Sequence, residues 1–285
     1  MKETRTLRWG GARIGAGAPA IVVSLTGPGP AEAADQARSA VAAGADVLEL
    51  RLDLLDGVAR ALGEPTGADG SGGSGGSGEA GTAEACRAAL EACLAVAGAG
   101  APLLLTCRTR AEGGRVALPD GDYEALLLSL LEGVAGTGGT AAVAAAVAAI
   151  DVEVERGCLA AVAAAAHGLG IDVVGSFHDV VATPPDARME AVLSAMASHG
   201  ADLAKIAVMP ADGADVVRLL GVGARAQARL SIPVAAISMG ALGAVSRVAP
   251  VFGSALTFAV ASGPASAPGQ LPIEEVRRVL ALLAP

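Results

Sequence analysis

Residues 201–210 read Ala201-Asp202-Leu203-Ala204-Lys205-Ile206-Ala207-Val208-Met209-Pro210. From Leu203 to Ala207 the run is apolar but for one lysine, and a proline follows at 210. Strands of a parallel sheet covered on both faces read this way, whereas half-exposed strands alternate apolar and polar residues. Seven similar runs lie elsewhere in the chain: Ala20–Leu25, Val47–Leu52, Pro102–Cys107, Ala148–Val152, Ile171–Ser176, Val234–Ser238 and Ala255–Ala259. Longer Ala/Leu-rich stretches alternate with them, and helices are expected near 31–43, 84–98, 123–134, 158–167, 186–199, 213–228 and 241–248. A last helix is expected near 273–283, just after Pro272. Strands alternating with helices give an α/β fold. Eight strands are the number that closes a (β/α)8 barrel of about 250 residues, which the 285-residue chain accommodates. An open doubly wound sheet is the alternative, and the count of eight favours the barrel.

Outside the barrel, Thr6-Leu7-Arg8-Trp9 and Ala12-Arg13-Ile14 flank Gly10-Gly11 and read as a small N-terminal hairpin. Residues 68–81 contain Gly-Ser-Gly-Gly-Ser-Gly-Gly-Ser-Gly, the composition of a flexible insertion. Too little chain precedes it to form a domain, so residues 1–285 are read as one barrel domain.

Composition limits the function. Hydrophobic residues make up 53% of the chain and aromatics 2%, so the core is aliphatic and offers no stacking platform for bases. A net charge of −9 also lacks the basic footprint of a nucleic-acid binder, although clustered arginines can still receive a small anion. No apolar run approaches the ~18 residues of a membrane span, and no apolar segment follows the charged N-terminus as in a secretory signal. Cys86, Cys93, Cys107 and Cys158 contain no CxxC pair and read as buried small hydrophobes. A cytosolic location is expected.

Active sites of (β/α)8 barrels lie at the C-terminal ends of the strands. Glu49 and Arg51, two apart on the second strand, share a face and also fit an interior ion pair. Arg108 follows the third strand, with Glu112-Gly113-Gly114 beyond it. His178 ends the fifth strand in Ser176-Phe177-His178-Asp179, whereas His167 and His199 sit near helix ends, where the dipole accounts for them. Lysine occurs only at positions 2 and 205, against 18 arginines. Lys205 among apolar neighbours is expected to have a depressed pKa and to serve as an amine nucleophile, although such lysines also occur as snorkelling or ion-paired groups. Ser238-Met239-Gly240 and Ser246-Arg247 follow the seventh strand, and Ser266-Ala267-Pro268-Gly269-Gln270 the eighth. An amine, a histidine base, carboxylates and arginines suited to a carboxylate fit a Schiff-base lyase for a small carbonyl acid. No Asp/His cluster has metal spacing, and the imine serves as the electron sink, so no metal or other cofactor is expected.

These motifs, in this order from about Ile21 to Leu283, resemble the type I 3-dehydroquinase family. The resemblance implies dehydration of 3-dehydroquinate to 3-dehydroshikimate by syn elimination of water, the third step of chorismate biosynthesis in the shikimate pathway. Lys205 would form an iminium at C3. His178 would remove the C2 proton and then protonate the leaving C1 hydroxyl. Glu112 would orient His178. Ser24, Glu49, Arg51, Arg108, Met239, Arg247, Phe252, Ser266 and Gln270 would bind the substrate, with Arg247 as the carboxylate clamp and Met239 and Phe252 as apolar walls. The resemblance also implies a homodimer. The chain departs from the family at Val180, where an aromatic residue is common, and in the Gly/Ser insertion. Another Schiff-base barrel, such as an aldolase, and a non-catalytic metabolite-binding barrel are the rival readings.

Overall fold

The structure is a computed structural model that describes residues 4–64, 78–136, 141–249, 252 and 254–283. The chain begins with the antiparallel hairpin β1 (Leu7–Trp9) and β2 (Ala12–Ile14). Eight parallel strands follow: β3 (Ala20–Leu25), β4 (Val47–Arg51), β5 (Leu103–Thr106), β6 (Val147–Glu153), β7 (Asp172–Asp179), β8 (Leu203–Val208), β9 (Val234–Ser238) and β10 (Leu256–Val260). β10 pairs with β3, so the first and last of the eight are neighbours. The remaining seam is closed at Ala255, whose N–H donates to the Val234 carbonyl at 2.8 Å. The result is the expected (β/α)8 barrel. A two-residue strand, β11 (Leu271–Pro272), adds to β10 ahead of the last helix.

Helices α1 (Pro30–Ala42), α2 (Asp56–Ala61), α3 (Glu79–Ala97), α4 (Asp120–Ala135), α5 (Ala141–Ala146), α6 (Leu159–Gly168), α7 (Asp186–Ser198), α8 (Gly213–Arg229) and α9 (Ile273–Leu282) connect the strands. α2 and β11 are short elements that the sequence reading did not separate from their neighbours. Of the stretch read as an insertion, Glu79–Gly81 forms the first turn of α3, and residues 68–77 lie outside the described residues. The helix expected near 241–248 is instead a 3-10 turn, Ala244–Arg247. Two local features explain this. A Cβ on Gly243 would sit 2.3 Å from the Ser238 carbonyl oxygen, so the chain doubles back closely on β9. Ser246 Oγ then donates to the Gly243 carbonyl at 2.7 Å and accepts the Ser238 N–H at 2.9 Å, side-chain bonds that compete with a regular helix.

Period-two alternation divides the core into two clusters. Outward residues such as Ile21, Val23, Leu48, Leu50, Leu103 and Leu105 pack beneath the helices. Inward residues near the strand starts, including Val22, Val47, Leu104, Val174 and Leu203, form an apolar floor with Leu7, Trp9 and Ile14 of the hairpin. The hairpin therefore plugs the N-terminal end. Trp9 is 1% exposed and donates its indole N–H to Asp172 at 2.9 Å, while Arg5 reaches Asp202 at 2.5 Å. Trp9→Ala is expected to cost about 3–5 kcal/mol, as for other buried tryptophans. Urea unfolding followed by circular dichroism checks this, and a midpoint equal to wild type contradicts the plug. No helix among the described residues is long and apolar enough to cross a membrane.

Candidate active site

Moving up each strand from that floor, the inward positions become polar. They are Ser24 on β3, Glu49 and Arg51 on β4, Thr106 on β5, Asp151 and Glu153 on β6, Ser176 and His178 on β7, and Lys205 on β8. The β7–β8 register pairs Ser176 with Lys205 and His178 with Ala207, so His178 stands one inward position above the lysine on the adjacent strand. Glu49, Arg51, Arg108, Glu112, His178, Lys205, Met239, Arg247, Ser266 and Gln270 line one cavity at the C-terminal mouth, with Phe258, Val180 and Ile237 as apolar wall.

Lys205 is 4% exposed. Its neighbours in sequence are apolar, but its neighbours in space are charged: Nζ lies 3.2 Å from Asp151 Oδ2 and 3.9 Å from Glu49 Oε1. The Phe258 ring covers it, with its centroid 4.7 Å from Nζ. Asp151 joins the amine to the rest of the site. Its Oδ1 accepts from Arg108 Nη2 at 2.7 Å and from Ser176 Oγ at 2.6 Å. Arg108 Nη1 donates to Glu153 at 2.9 Å, to Ser176 Oγ at 3.1 Å and to Glu112 Oε2 at 3.2 Å. Glu112 Oε2 also lies 2.7 Å from His178 Nδ1. The turn that presents Glu112 depends on Gly114, where a Cβ would fall 2.0 Å from the Arg108 carbonyl oxygen. A second group runs around the rim. Gln270 Nε2 donates to Ser266 Oγ at 2.8 Å, Ser266 Oγ to Ser24 Oγ at 2.9 Å, and Ser24 to Glu49.

These surroundings set the protonation states. Burial pushes the Glu112 carboxyl up; Arg108 and Lys205 oppose this, Glu153 and Asp151 reinforce it, and the group settles at about 9. Burial, then the positive charges of Arg108, Lys205 and Arg51, hold the His178 imidazole well below 6.5. At neutral pH His178 is therefore an uncharged base. The tautomer that donates Nδ1–H to Glu112 Oε2 leaves the Nε2 lone pair free to take a proton. Burial disfavours the Asp151 carboxylate, but Arg108, Lys205 and the Ser176 hydroxyl outweigh it and keep the group below its ordinary value. Burial brings Arg247 down to about 10. Its Nη2 donates to the Pro268 carbonyl at 3.0 Å, and its Nε is buried without a partner among the described residues. A guanidinium with an unmet donor at a cavity wall suits an anionic ligand.

The Glu112 shift has a consequence for stability. Between pH 4.5 and about 9 the folded protein keeps a proton that the unfolded chain releases, so this group's contribution falls as pH rises across that window. Glu112→Gln removes the penalty. The melting temperature of Glu112→Gln relative to wild type is expected to grow by about 2 °C or more across this window. A constant difference contradicts a neutral buried carboxyl.

Of the residues singled out from sequence, Ser24 is half-buried beside the cavity lining, bonded to Ser266 and Glu49. Phe252 does not line the cavity; it is 40% exposed, and Phe258 on β10 supplies the aromatic wall instead. Two aromatics six residues apart around a strand start cannot be assigned to a face until the register of that strand is known. The interior ion pair considered for Glu49 and Arg51 is absent. Arg51 instead forks onto Asp53 with two bonds of 2.8 Å. Arg108 reaches the cavity, yet its guanidinium is taken up by four protein partners. Asp151, Glu153 and Thr106 were not picked out in the sequence. The signal was present in Asp151-Val152-Glu153, where two carboxylates share the inward face of a buried strand, the same spacing that marked Glu49 and Arg51.

Comparison with known proteins agrees with this architecture. Residues 21–285 match the family described as type I 3-dehydroquinase. The 3-dehydroquinate dehydratase of Lactiplantibacillus plantarum is 42% identical over 178 residues, covering 61% of this chain and just under two thirds (66%) of that protein. The one from Enterococcus faecalis is 33% identical over 272 residues, 94% of each chain. Among solved structures, a type I 3-dehydroquinate dehydratase from Clostridium difficile with covalently modified comenic acid superposes with a TM-score of 0.80, at 28% identity over 98% of both chains. The chain belongs to the type I 3-dehydroquinase family.

Proposed function

We propose that this protein is a 3-dehydroquinate dehydratase, a hydro-lyase that works through an imine on Lys205. The observation that carries the reading is the placement of a buried amine and a neutral histidine on adjacent strands of one cavity. Lys205 Nζ, as the free amine, attacks the C3 ketone. The carbonyl oxygen leaves as water after taking up two protons, and Nζ remains as an iminium. The positive C=N acidifies the C2–H bond. His178 Nε2 takes that proton, and the C–H electron pair moves into the ring to give an enamine. His178, now imidazolium, returns the proton to the C1 hydroxyl, which departs as a second water as the enamine electrons re-form the iminium, conjugated with the new double bond. Hydrolysis then consumes one water, frees Lys205 and releases 3-dehydroshikimate.

Glu112 orients His178 through Nδ1. Its raised pKa allows it to stay neutral beside the neutral base. Arg247 binds the substrate carboxylate, Met239 and Phe258 form the apolar walls, and Glu49, Arg51, Ser266 and Gln270 receive the hydroxyl groups. Arg108 acts here mainly as the tie between Asp151, Glu153 and Glu112, and Ser24 as support for Glu49 and Ser266. The covalently modified comenic acid of the Clostridium difficile relative supports covalent chemistry in this fold. The proposal extends to one barrel domain, a homodimer and action in the shikimate pathway in the cytosol. Incubation with 3-dehydroquinate tests the activity through the appearance of enone absorbance, with ketose phosphates as inert controls. Tight binding without enone formation would favour a metabolite-binding role, and cleavage of ketose phosphates an aldolase.

A further inference from the structure

Glu49 is buried, and both of its carboxylate oxygens are held. Oε2 accepts from Ser24, and Oε1 accepts from Thr106 Oγ1 at 3.0 Å. The same Oε1 is the Glu49 atom that faces the nucleophile, 3.9 Å from Lys205 Nζ, whereas Asp151 Oδ2 stands closer, at 3.2 Å. Thr106 is the last residue of β5, is fully buried and faces inward. A separation of 3.9 Å is too long for a hydrogen bond, although opposite charges in a poorly solvated site attract strongly. Something must keep the pair from closing, and the donor seated on Oε1 is the threonine hydroxyl.

We propose that Thr106 is a positioning residue that holds Glu49 Oε1 out of hydrogen-bond contact with Lys205, leaving the amine able to lose its proton and reach a carbonyl carbon. The proposal rests on the reading of Lys205 as the nucleophile. Attack needs a free lone pair on Nζ, so the ammonium must first give up a proton. A second carboxylate in hydrogen-bond contact would favour the charged form and hold that proton. Without the hydroxyl, Oε1 would lack its donor, and a buried acceptor left unmet takes the nearest donor available, here the ammonium. The other charged or titratable groups facing Lys205 are Arg51 on β4, Arg108 and Glu112 after β5, Asp151 on β6, His178 on β7 and Arg247 after β9. A change at Thr106 leaves the identity of each of them unaltered, so its effect is read through Glu49.

Thr106→Val keeps the branched shape and removes the donor, and Thr106→Ser keeps the donor. Single-turnover imine formation with 3-dehydroquinate, trapped by cyanoborohydride and counted by intact-protein mass, would be followed from about pH 6 to about pH 10. In Thr106→Val the midpoint is expected to rise by about one unit, with a roughly tenfold slower rate at neutral pH. Thr106→Ser should stay near wild type. In a Glu49→Gln background Thr106→Val should cause no further shift, because no carboxylate remains to pair. If Thr106→Val does not fold, Thr106→Cys, with a thiol that is a weak donor, is read the same way. A rate lowered equally at every pH, or an unmoved midpoint, overturns the proposal and leaves Thr106 as packing. Absence of any adduct in the wild type is a different failure, that of the Lys205 reading itself.

Discussion

Lys205→Ala is expected to abolish covalent capture of 3-dehydroquinate and to lower turnover by roughly 10⁴-fold or more. The size of the effect follows from the absence of a substitute amine. Apart from Lys2, every other basic side chain beyond histidine is an arginine, whose guanidinium stays protonated. Without the iminium the C2 proton keeps the acidity of an ordinary ketone neighbour, and His178 has no electron sink to work against. The substitution also removes the cation between Asp151 and Glu49. Arg108 still neutralises Asp151, so the barrel is expected to fold. Lys205→Met, closer in volume, separates loss of the amine from loss of packing, and both variants should retain the circular dichroism spectrum of the wild type. A covalent adduct in either one assigns the nucleophile elsewhere.

His178→Ala should behave differently. Proton transfer by a positioned side chain contributes about 10²–10⁴-fold, so turnover should fall by that factor while imine formation survives. Substrate imine should then accumulate and trap more completely than in the wild type, because its onward step is blocked. The separation is possible because His178 and Lys205 occupy different strands and make no direct bond with each other: His178 is held by Glu112, and Lys205 by Asp151. Near-normal turnover in His178→Ala removes the histidine from the mechanism. Loss of the adduct as well as turnover would make it part of imine formation.

Much of this was legible in the order of residues. β3 and β9 have the bounds that their apolar runs suggested, since a strand buried on both faces carries an uninterrupted signal. Lys205 stood out because it interrupts such a run with a group that is costly to bury, and His178 because it ends a strand, where no helix dipole accounts for it. What the sequence left open was partnership across strands. Whether Arg51 meets Glu49 or Asp53, and whether Phe252 or Phe258 faces the cavity, depends on register and on how each loop leaves its strand. Asp151 shows the same limit: it sits at the end of an alanine-rich run, and its importance appears only when β6 is set beside β5 and β7, where Arg108, Ser176 and Lys205 converge on it. The missing helix after β9 has a local cause, the close return at Gly243 and the side-chain bonds of Ser246, which outweigh the helical tendency of the flanking residues.

The central claim is that Lys205 carries the substrate as an imine during dehydration. Borohydride reduction in the presence of 3-dehydroquinate, followed by peptide mass mapping, tests it most directly, because reduction fixes the imine as a stable amine. The account predicts a substrate-derived mass on the peptide containing Lys205, with enone product in the unreduced control. Enone product with an unmodified Lys205 peptide would contradict it.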